Sequence, residues 1–589
     1  MPKTRLVPAT FLLLVAATLG AFFLTQRLKR EQPLVERVFF PRYLSPNGDG
    51  RKDSVRMRFD LPKAATVTVA VVNDDDEAVR TLAEDARLGK GTHSYVWDGG
   101  ADGGARAPDG TYRLRVNVRS EGRALTASRE LVLDTKAPAP DLVAVGPRTI
   151  LPGLPGKRGR ARIRFEGPSN PAPRFRVYRT DAAGAAKEVA SFAGPRFRQI
   201  AFWDGLVAGR PAPAGTYAIT VSVQDRAGNE GSAPPRLPPR RGETKPTTGV
   251  SVRYLTVRAP LEPVRAGAVA RFAVGPVNRR FRWSLYRLAG SRPVARGEGS
   301  GREGAVRIPS NARAGIYILR LLASGRRVAA PIVVPGNGTE RVLVVAPAIT
   351  WQGTNPADGD GDGFADTLDN SREVALARPF VFGGLPGGFA RGVGPLMRFL
   401  DREGFDYDMT TDLALARRRG PRIAGRAGIV FPGSERWLPD RTNLTLRRFV
   451  EEGGTVASFG TDAFRRTVTV GPEELFNPSR PDVLNVFGEQ TGAFSTEPAP
   501  LDVSLDRLRL FANTDGIVGE FEDFERSLRL APGNVPRTKA GREDRTAFVA
   551  YKRGEGLVIR VGTPQWSARI SSLRDVAEVT RRIWTLSSR

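Results

Sequence analysis

Residues 358 to 369 read Asp-Gly-Asp-Gly-Asp-Gly-Phe-Ala-Asp-Thr-Leu-Asp. Side-chain carboxylates from Asp358, Asp360, Asp362, Asp366 and Asp369 fall at positions 1, 3, 5, 9 and 12 of this run, with Gly363 at position 6 and the carbonyl of Phe364 at position 7. A hard cation needs six or seven oxygens gathered on one tight loop, and the central glycine makes the turn. This is the spacing of an EF-hand calcium loop, except that Asp369 stands where the longer Glu is usual. The shorter side chain predicts weak binding, roughly 10⁻⁴–10⁻³ M. Asn47, Asp49 and Asp53 form a half-complete copy, with Arg51 where another ligand would be expected. Both loops lie near domain starts, so the expected role of calcium is to stiffen junctions.

Counting residues removes most other chemistry. There is no cysteine, and His93 is the only histidine. Disulfides, thiolate nucleophiles, Cys/His zinc sites and any Ser/His triad in the C-terminal half are therefore excluded. Ser434, in Phe431-Pro-Gly-Ser-Glu-Arg-Trp437, follows an apolar strand where a nucleophile could sit. A serine hydroxyl needs an adjacent base, which only Glu435 or the sparse lysines Lys539 and Lys552 could supply. A turn residue or helix cap is the simpler reading of Ser434.

The elements that must position these residues are mostly short strands. At 589 residues the chain needs about four cores. Trp97-Asp-Gly99 followed by Pro108-Asp-Gly-Thr-Tyr112 recurs as Trp203-Asp-Gly205 and Pro213-Ala-Gly-Thr-Tyr217, with a weaker third copy at Arg313-Ala-Gly-Ile-Tyr317. Each Tyr opens an alternating strand, as in an immunoglobulin-like β-sandwich, with the Trp read as core. Pro234-Pro-Arg-Leu-Pro-Pro-Arg-Arg241 reads as a stiff spacer. Beyond residue 340, continuous apolar strands such as Val342–Ala346 alternate with helical patterns and predict a doubly wound α/β domain. The expected domains are a membrane anchor at 1–30, sandwiches at 38–136 and 137–232, a linker at 233–247, a third sandwich at 248–336, and the α/β domain at 340–589. The apolar run Leu6–Leu24, flanked by Lys3, Arg5 and Arg27 to Arg30, predicts a transmembrane signal anchor, with a cleaved signal peptide as the alternative.

The net charge of +28 invites a nucleic-acid reading. Only 11 of the 90 basic residues are Lys, and the arginines are spread without basic blocks interleaved with aromatics. That pattern argues against nucleic acid and suits attraction to anionic wall polymers or lipid headgroups.

Ser45-Pro-Asn-Gly-Asp-Gly-Arg-Lys-Asp53, with the Trp-Asp-Gly and Asp-Gly-Thr-Tyr elements, resembles the FlgD-type Ig-like domain of bacterial surface proteins. In the terminal domain, Ile349-Thr-Trp-Gln-Gly-Thr-Asn355, Gly404-Phe-Asp-Tyr-Asp-Met-Thr-Thr-Asp412 and Phe449-Val-Glu-Glu-Gly-Gly454 resemble the C-terminal domain of the N,N-dimethylformamidase large subunit, a class I glutamine amidotransferase-like fold. That resemblance implies amide hydrolysis at an iron held by two tyrosines and a glutamate. Tyr407 matches the pattern and Glu435 falls in the glutamate segment, but Thr354 replaces a tyrosine. Gly433-Ser-Glu-Arg-Trp437 lacks the His, Asp and Tyr of the relatives' His-Asp-Glu-Tyr-Trp. Iron is not expected, and Tyr407, Ser434 and Glu435 are weak catalytic candidates only. The expectation is a membrane-anchored extracytoplasmic surface protein whose Ig-like modules present a non-catalytic domain. Its partners would be the membrane and a cell-wall polymer or envelope protein. A divergent metal amidase and a carbohydrate-binding surface protein are the alternatives.

Overall fold

In a computed structural model of the chain, residues 6–29, 34–182, 184–381, 383–542 and 545–589 are described. Strands far outnumber helices throughout. An N-terminal helix, Leu6–Lys29, forms. However, no helix among the described residues is long and apolar enough to cross a membrane, which overturns the expected transmembrane anchor. Thr10, Thr18, Gly20 and Thr25 interrupt its apolar run, and Arg27 and Lys29 fall inside the same helix.

Three β-sandwiches follow. In the first, a three-stranded sheet (Glu36–Phe39, Val55–Leu61, Gly91–Trp97) faces a five-stranded sheet built around Ala65–Val72 and Gly110–Val118. The repeated aromatic elements sit at its heart. The Trp97 and Tyr112 rings lie 5.0 Å apart, and the Tyr112 hydroxyl donates to the Pro108 carbonyl at 2.6 Å. Trp203 and Tyr217 repeat this at 5.3 Å, with the Tyr217 hydroxyl on Pro213 at 2.8 Å. In the third copy Tyr317 donates to the Arg313 carbonyl at 3.2 Å. Each Tyr thus ties its own strand back to the turn that launches it. Gly205 must be glycine: its φ is +74°, and a Cβ there would lie 2.5 Å from Pro152.

The boundary between the second and third sandwiches shifts. Gly249–Val252, expected to open the third, pairs antiparallel with Gly215–Ala218 of the second. The proline-rich segment does not act as a spacer either. Lys245 pairs with Asp141 at 2.6 Å, and Arg241 reaches forward to Asp366 at 2.7 Å. Its prolines set the local path, but these charged contacts fold it against the domains on both sides.

The terminal domain is only partly the expected doubly wound sheet. Five strands run parallel in the order Asp408–Thr411, Val342–Ala346, Gly428–Phe431, Thr455–Ser458 and Gly556–Arg560. Four antiparallel strands then extend the sheet: Arg545–Arg553, Val535–Arg542, Ala499–Asp506 and Ile517–Phe521. The central strands Val342–Ala346 and Gly428–Phe431 are wholly buried and carry no polar side chain, whereas Asp408–Thr411 is buried despite its polar sequence. The added strands pair antiparallel, which needs no crossover helix, and bulges interrupt their register.

Candidate functional site

Parallel strands leave a crevice beyond their carboxyl ends, where successive connections part. Here the turn after Gly428–Phe431 supplies Gly433 and Ser434. The helix Ala348–Gly353 supplies Thr350 and Trp351, the turn after Thr455–Ser458 supplies Gly460 and Thr461, and the turn after Gly556–Arg560 supplies Gln565. Together with Thr354, Arg391 and Asp523 they line a cavity of about 300 Å³. Ser434 and Thr461 are held close because glycine stands at 460: a Cβ there would lie 2.3 Å from Gly433 and Ser434 backbone atoms.

Ser434 Oγ accepts the Thr461 N–H at 3.2 Å, and no basic side chain bonds to it among the described residues. Asp523 Oδ2 accepts from Gln565 Nε2 at 2.7 Å. Lys552 pairs in register with Leu557, at the amino end of its parallel neighbour and so at the far end of the sheet from Ser434. His93 lies in the first sandwich, with Nε2 2.8 Å from the Gly89 carbonyl. The crevice can bind through hydroxyls, one amide and two charges, but it contains no activated nucleophile.

Beneath Ser434, Glu435 and Asp412 are both fully buried. Asp412 opens the short helix Asp412–Ala416 and accepts the backbone N–H groups of Ile349 (3.0 Å) and Leu413 (2.7 Å). No N–H or O–H of another described group reaches either Glu435 oxygen. Its polar neighbour is the Asp412 carboxyl, so the two bond only when one of them holds a proton. Burial, then the Asp412 charge, pushes Glu435 well above the usual carboxyl range. Burial raises Asp412 to about 7, moderated by the N–H groups it accepts. Of Tyr407, Asp412 and Glu435, whose convergence the sequence left open, only Asp412 and Glu435 meet. The signal for Asp412 in the sequence was an acidic residue directly after the strand Asp408–Thr411.

The iron pattern does not assemble. Tyr407 lies at the junction with the third sandwich, where its hydroxyl donates to Asp401 at 2.8 Å and Asp401 also holds Arg287 at 2.6 Å. Tyr551, the other tyrosine of this domain, packs in a separate core cluster with Phe431, Phe464 and Phe487. Neither joins Glu435, so two tyrosinates and a glutamate cannot share one ion.

In the acidic loop, Asp358, Asp360 and Asp366 present carboxylate oxygens within 4.8 Å of one another. Asp358 accepts from Gly361 N–H (2.6 Å) and Gly363 N–H (3.0 Å), while Asp362 turns back onto Phe364 N–H at 2.7 Å. Burial raises Asp358 to about 7 and Asp362 to about 6. Asp369 does not join them, because Arg436 at 2.8 Å and Arg466 at 2.5 Å hold it. The loop docks on the second sandwich. Gly249 N–H donates to the Gly361 carbonyl at 2.6 Å, Thr247 N–H to Asp360 at 3.2 Å, and Arg148 to Gly359 at 3.1 Å. The half-loop also bridges domains: Ser45 Oγ lies 2.5 Å and Asn47 Nδ2 3.1 Å from Asn229 Oδ1. Asp53 accepts from Gly48 and Gly50 N–H, both at 2.8 Å, and Asp49 from Arg51 N–H at 2.7 Å.

Comparison with known proteins agrees with these parts. Residues 302–484 match the family described as N,N-dimethylformamidase beta subunit-like, C-terminal, and residues 45–122 match the FlgD Ig-like domain. The basal-body rod modification protein FlgD of Escherichia coli is 32% identical over 68 residues, covering 12% of this chain and 29% of that protein. The chain thus spans about three tenths of that relative's length. FlgD from P. aeruginosa, 22% identical, covers 17% of this chain and 78% of its own with a TM-score of 0.13. An I-band fragment of titin, 14% identical, covers 50% and 97% with a TM-score of 0.21. The chain therefore carries Ig-like modules, one of FlgD type, and a dimethylformamidase-like C-terminal segment.

Proposed function

We propose that this is an extracytoplasmic scaffold and binding protein, in which Ig-like modules hold a non-catalytic dimethylformamidase-like domain in a fixed orientation. The observation that carries this reading is the state of Ser434 and its neighbours. The hydroxyl accepts a backbone N–H and has no base, and the carboxyl next to it is turned inward onto Asp412. The crevice above them is small and mostly apolar with a few convergent hydroxyl and amide groups, suited to holding a ligand by shape and a handful of polar contacts. The wall-polymer or envelope-protein partner suggested by the charge belongs to the same reading. The test is amide hydrolysis by the full chain, with formamide and dimethylformamide as substrates, assayed with and without added iron. No turnover above buffer is expected, and iron-dependent hydrolysis would overturn the reading in favour of a metal amidase.

Calcium is proposed as a structural ion at the acidic loop. Asp358, Asp360 and Asp366 would hold it, supplemented by loop carbonyls, and its charge would offset that of carboxylates pressed against the second sandwich. Millimolar calcium should raise the melting temperature, and Asp360→Ala combined with Asp362→Ala should abolish the rise. Because the loop docks on another domain, the shift should also appear in that domain's transition. An unchanged melting curve in the parent protein would remove calcium from the account.

A further inference from the structure

A groove of about 890 Å³ lies on the third sandwich, away from the crevice. Its floor is the outer face of the sheet formed by Pro293–Gly301, Arg279–Arg287, Gly315–Ala323 and Arg326–Val334. Side chains alternate across a strand, so the register shows which residues share this face. One row holds Glu298, Arg282, Leu322 and Arg327, and the next holds Arg296, Ser284, Arg320 and Ala329. Four exposed arginines therefore share the groove with a single carboxylate. None of the four forms an ion pair among the described residues, although Arg282 and Glu298 are cross-strand partners.

We infer that this groove binds an acidic polysaccharide. Arg282 and Arg327 lie two strands apart, as do Arg296 and Arg320, which sets each pair about 10 Å apart at the usual strand spacing. Every second carboxylate of a flexible acidic sugar chain can match that spacing. Binding single nucleic-acid strands calls for free aromatic faces on which bases stack. Here Arg320 covers the Tyr286 ring at 4.3 Å. Trp283 lies against Gly297 so closely that a Cβ there would come within 2.4 Å of the ring. Carboxylates on a flexible sugar chain can pair with each guanidinium in turn, and individually weak exposed contacts add up through multivalency. The inference is independent of the crevice, with which the groove shares no lining residue.

The test measures binding of fluorescent polygalacturonate to the full chain at 50 and 150 mM salt. Neutral dextran, a thymidine oligonucleotide and phosphatidylglycerol vesicles serve as comparison probes. Salt-sensitive binding of polygalacturonate, tighter than that of any comparison probe, is expected. Arg282→Ala with Arg327→Ala, and separately Arg296→Ala with Arg320→Ala, should each weaken it at least tenfold. Arg162→Ala with Arg164→Ala, which removes equal charge from the exposed face of a strand in the second sandwich, should change it less than twofold. Equal loss in that control would reduce the effect to general charge and overturn the proposal. Absence of binding, or preference for the oligonucleotide or the vesicles, would overturn it too. Melting temperatures are read alongside. Since the two pairs use different strands, a folding defect in one leaves the other to decide.

Discussion

Arg560→Leu should destabilise the terminal domain by about 3–5 kcal/mol, the usual cost of removing one partner from a buried ion pair. Arg560 closes the last parallel strand and is completely enclosed. Its guanidinium meets Glu489 at 2.6 Å and Glu525 at 3.4 Å, and Glu525 in turn accepts the Asp462 N–H at 3.0 Å. Burial alone would lower the pKa of Arg560, but the two carboxylates reverse this and raise it. Without the guanidinium, two buried carboxylates face one another with nothing to neutralise them. Leucine fills only part of the volume and supplies no donor. The effect should appear as a drop of roughly 10 °C in the terminal domain's melting transition. Arg560→Leu combined with Glu489→Leu should recover part of the loss, because one stranded carboxylate is removed and only Glu525 is left without its counter-charge. A single-variant loss under 1 kcal/mol would mean that water reaches the network.

Glu435→Gln should make the same domain less sensitive to alkaline pH. Burial and Asp412 raise the folded-state pKa of Glu435, so the folded chain retains a proton that the unfolded chain releases. Above about pH 4.5 the unfolded state therefore binds fewer protons, and stability falls as pH rises towards the raised pKa, by about 1.4 kcal/mol per pH unit for each retained proton. A glutamine amide donates permanently to Asp412 and removes that linkage. Parent and variant should melt similarly at pH 5, and the variant should gain progressively on the parent as the pH rises to 8. Glu435→Ala should destabilise at every pH, since it opens a cavity and leaves Asp412 without its partner. A constant gap between parent and glutamine variant from pH 5 to 8 would show that the pair shares no proton.

What could be read directly from the residues was local. The Trp-Asp-Gly and Gly-Thr-Tyr elements announced their sandwiches because the Tyr hydroxyl bonds four residues back, within reach of a motif. The acidic loop was legible for the same reason, since each carboxylate is satisfied by an N–H a few positions away. Long-range choices were not legible. Asp369 fits the calcium spacing, yet arginines 67 and 97 residues further along claim it. Gly249–Val252 is apolar enough for either neighbouring sandwich, and only tertiary pairing assigns it to the second. The antiparallel extension of the sheet was hidden because its strands are interrupted by bulges, at Pro536/Thr538 and Val503/Leu505 among others, that blur the two-residue period. The Asp412–Glu435 pair lay 23 positions apart in sequence, with nothing local to join its members.

The docking of Gly359, Asp360 and Gly361 onto Arg148, Thr247 and Gly249 closes the chain on itself around the whole third sandwich. A pull applied between the first module and the last would therefore load this clasp. The third module is itself bound to the terminal domain through Arg287–Asp401 and Arg417–Glu262, so clasp and module interface would share the load.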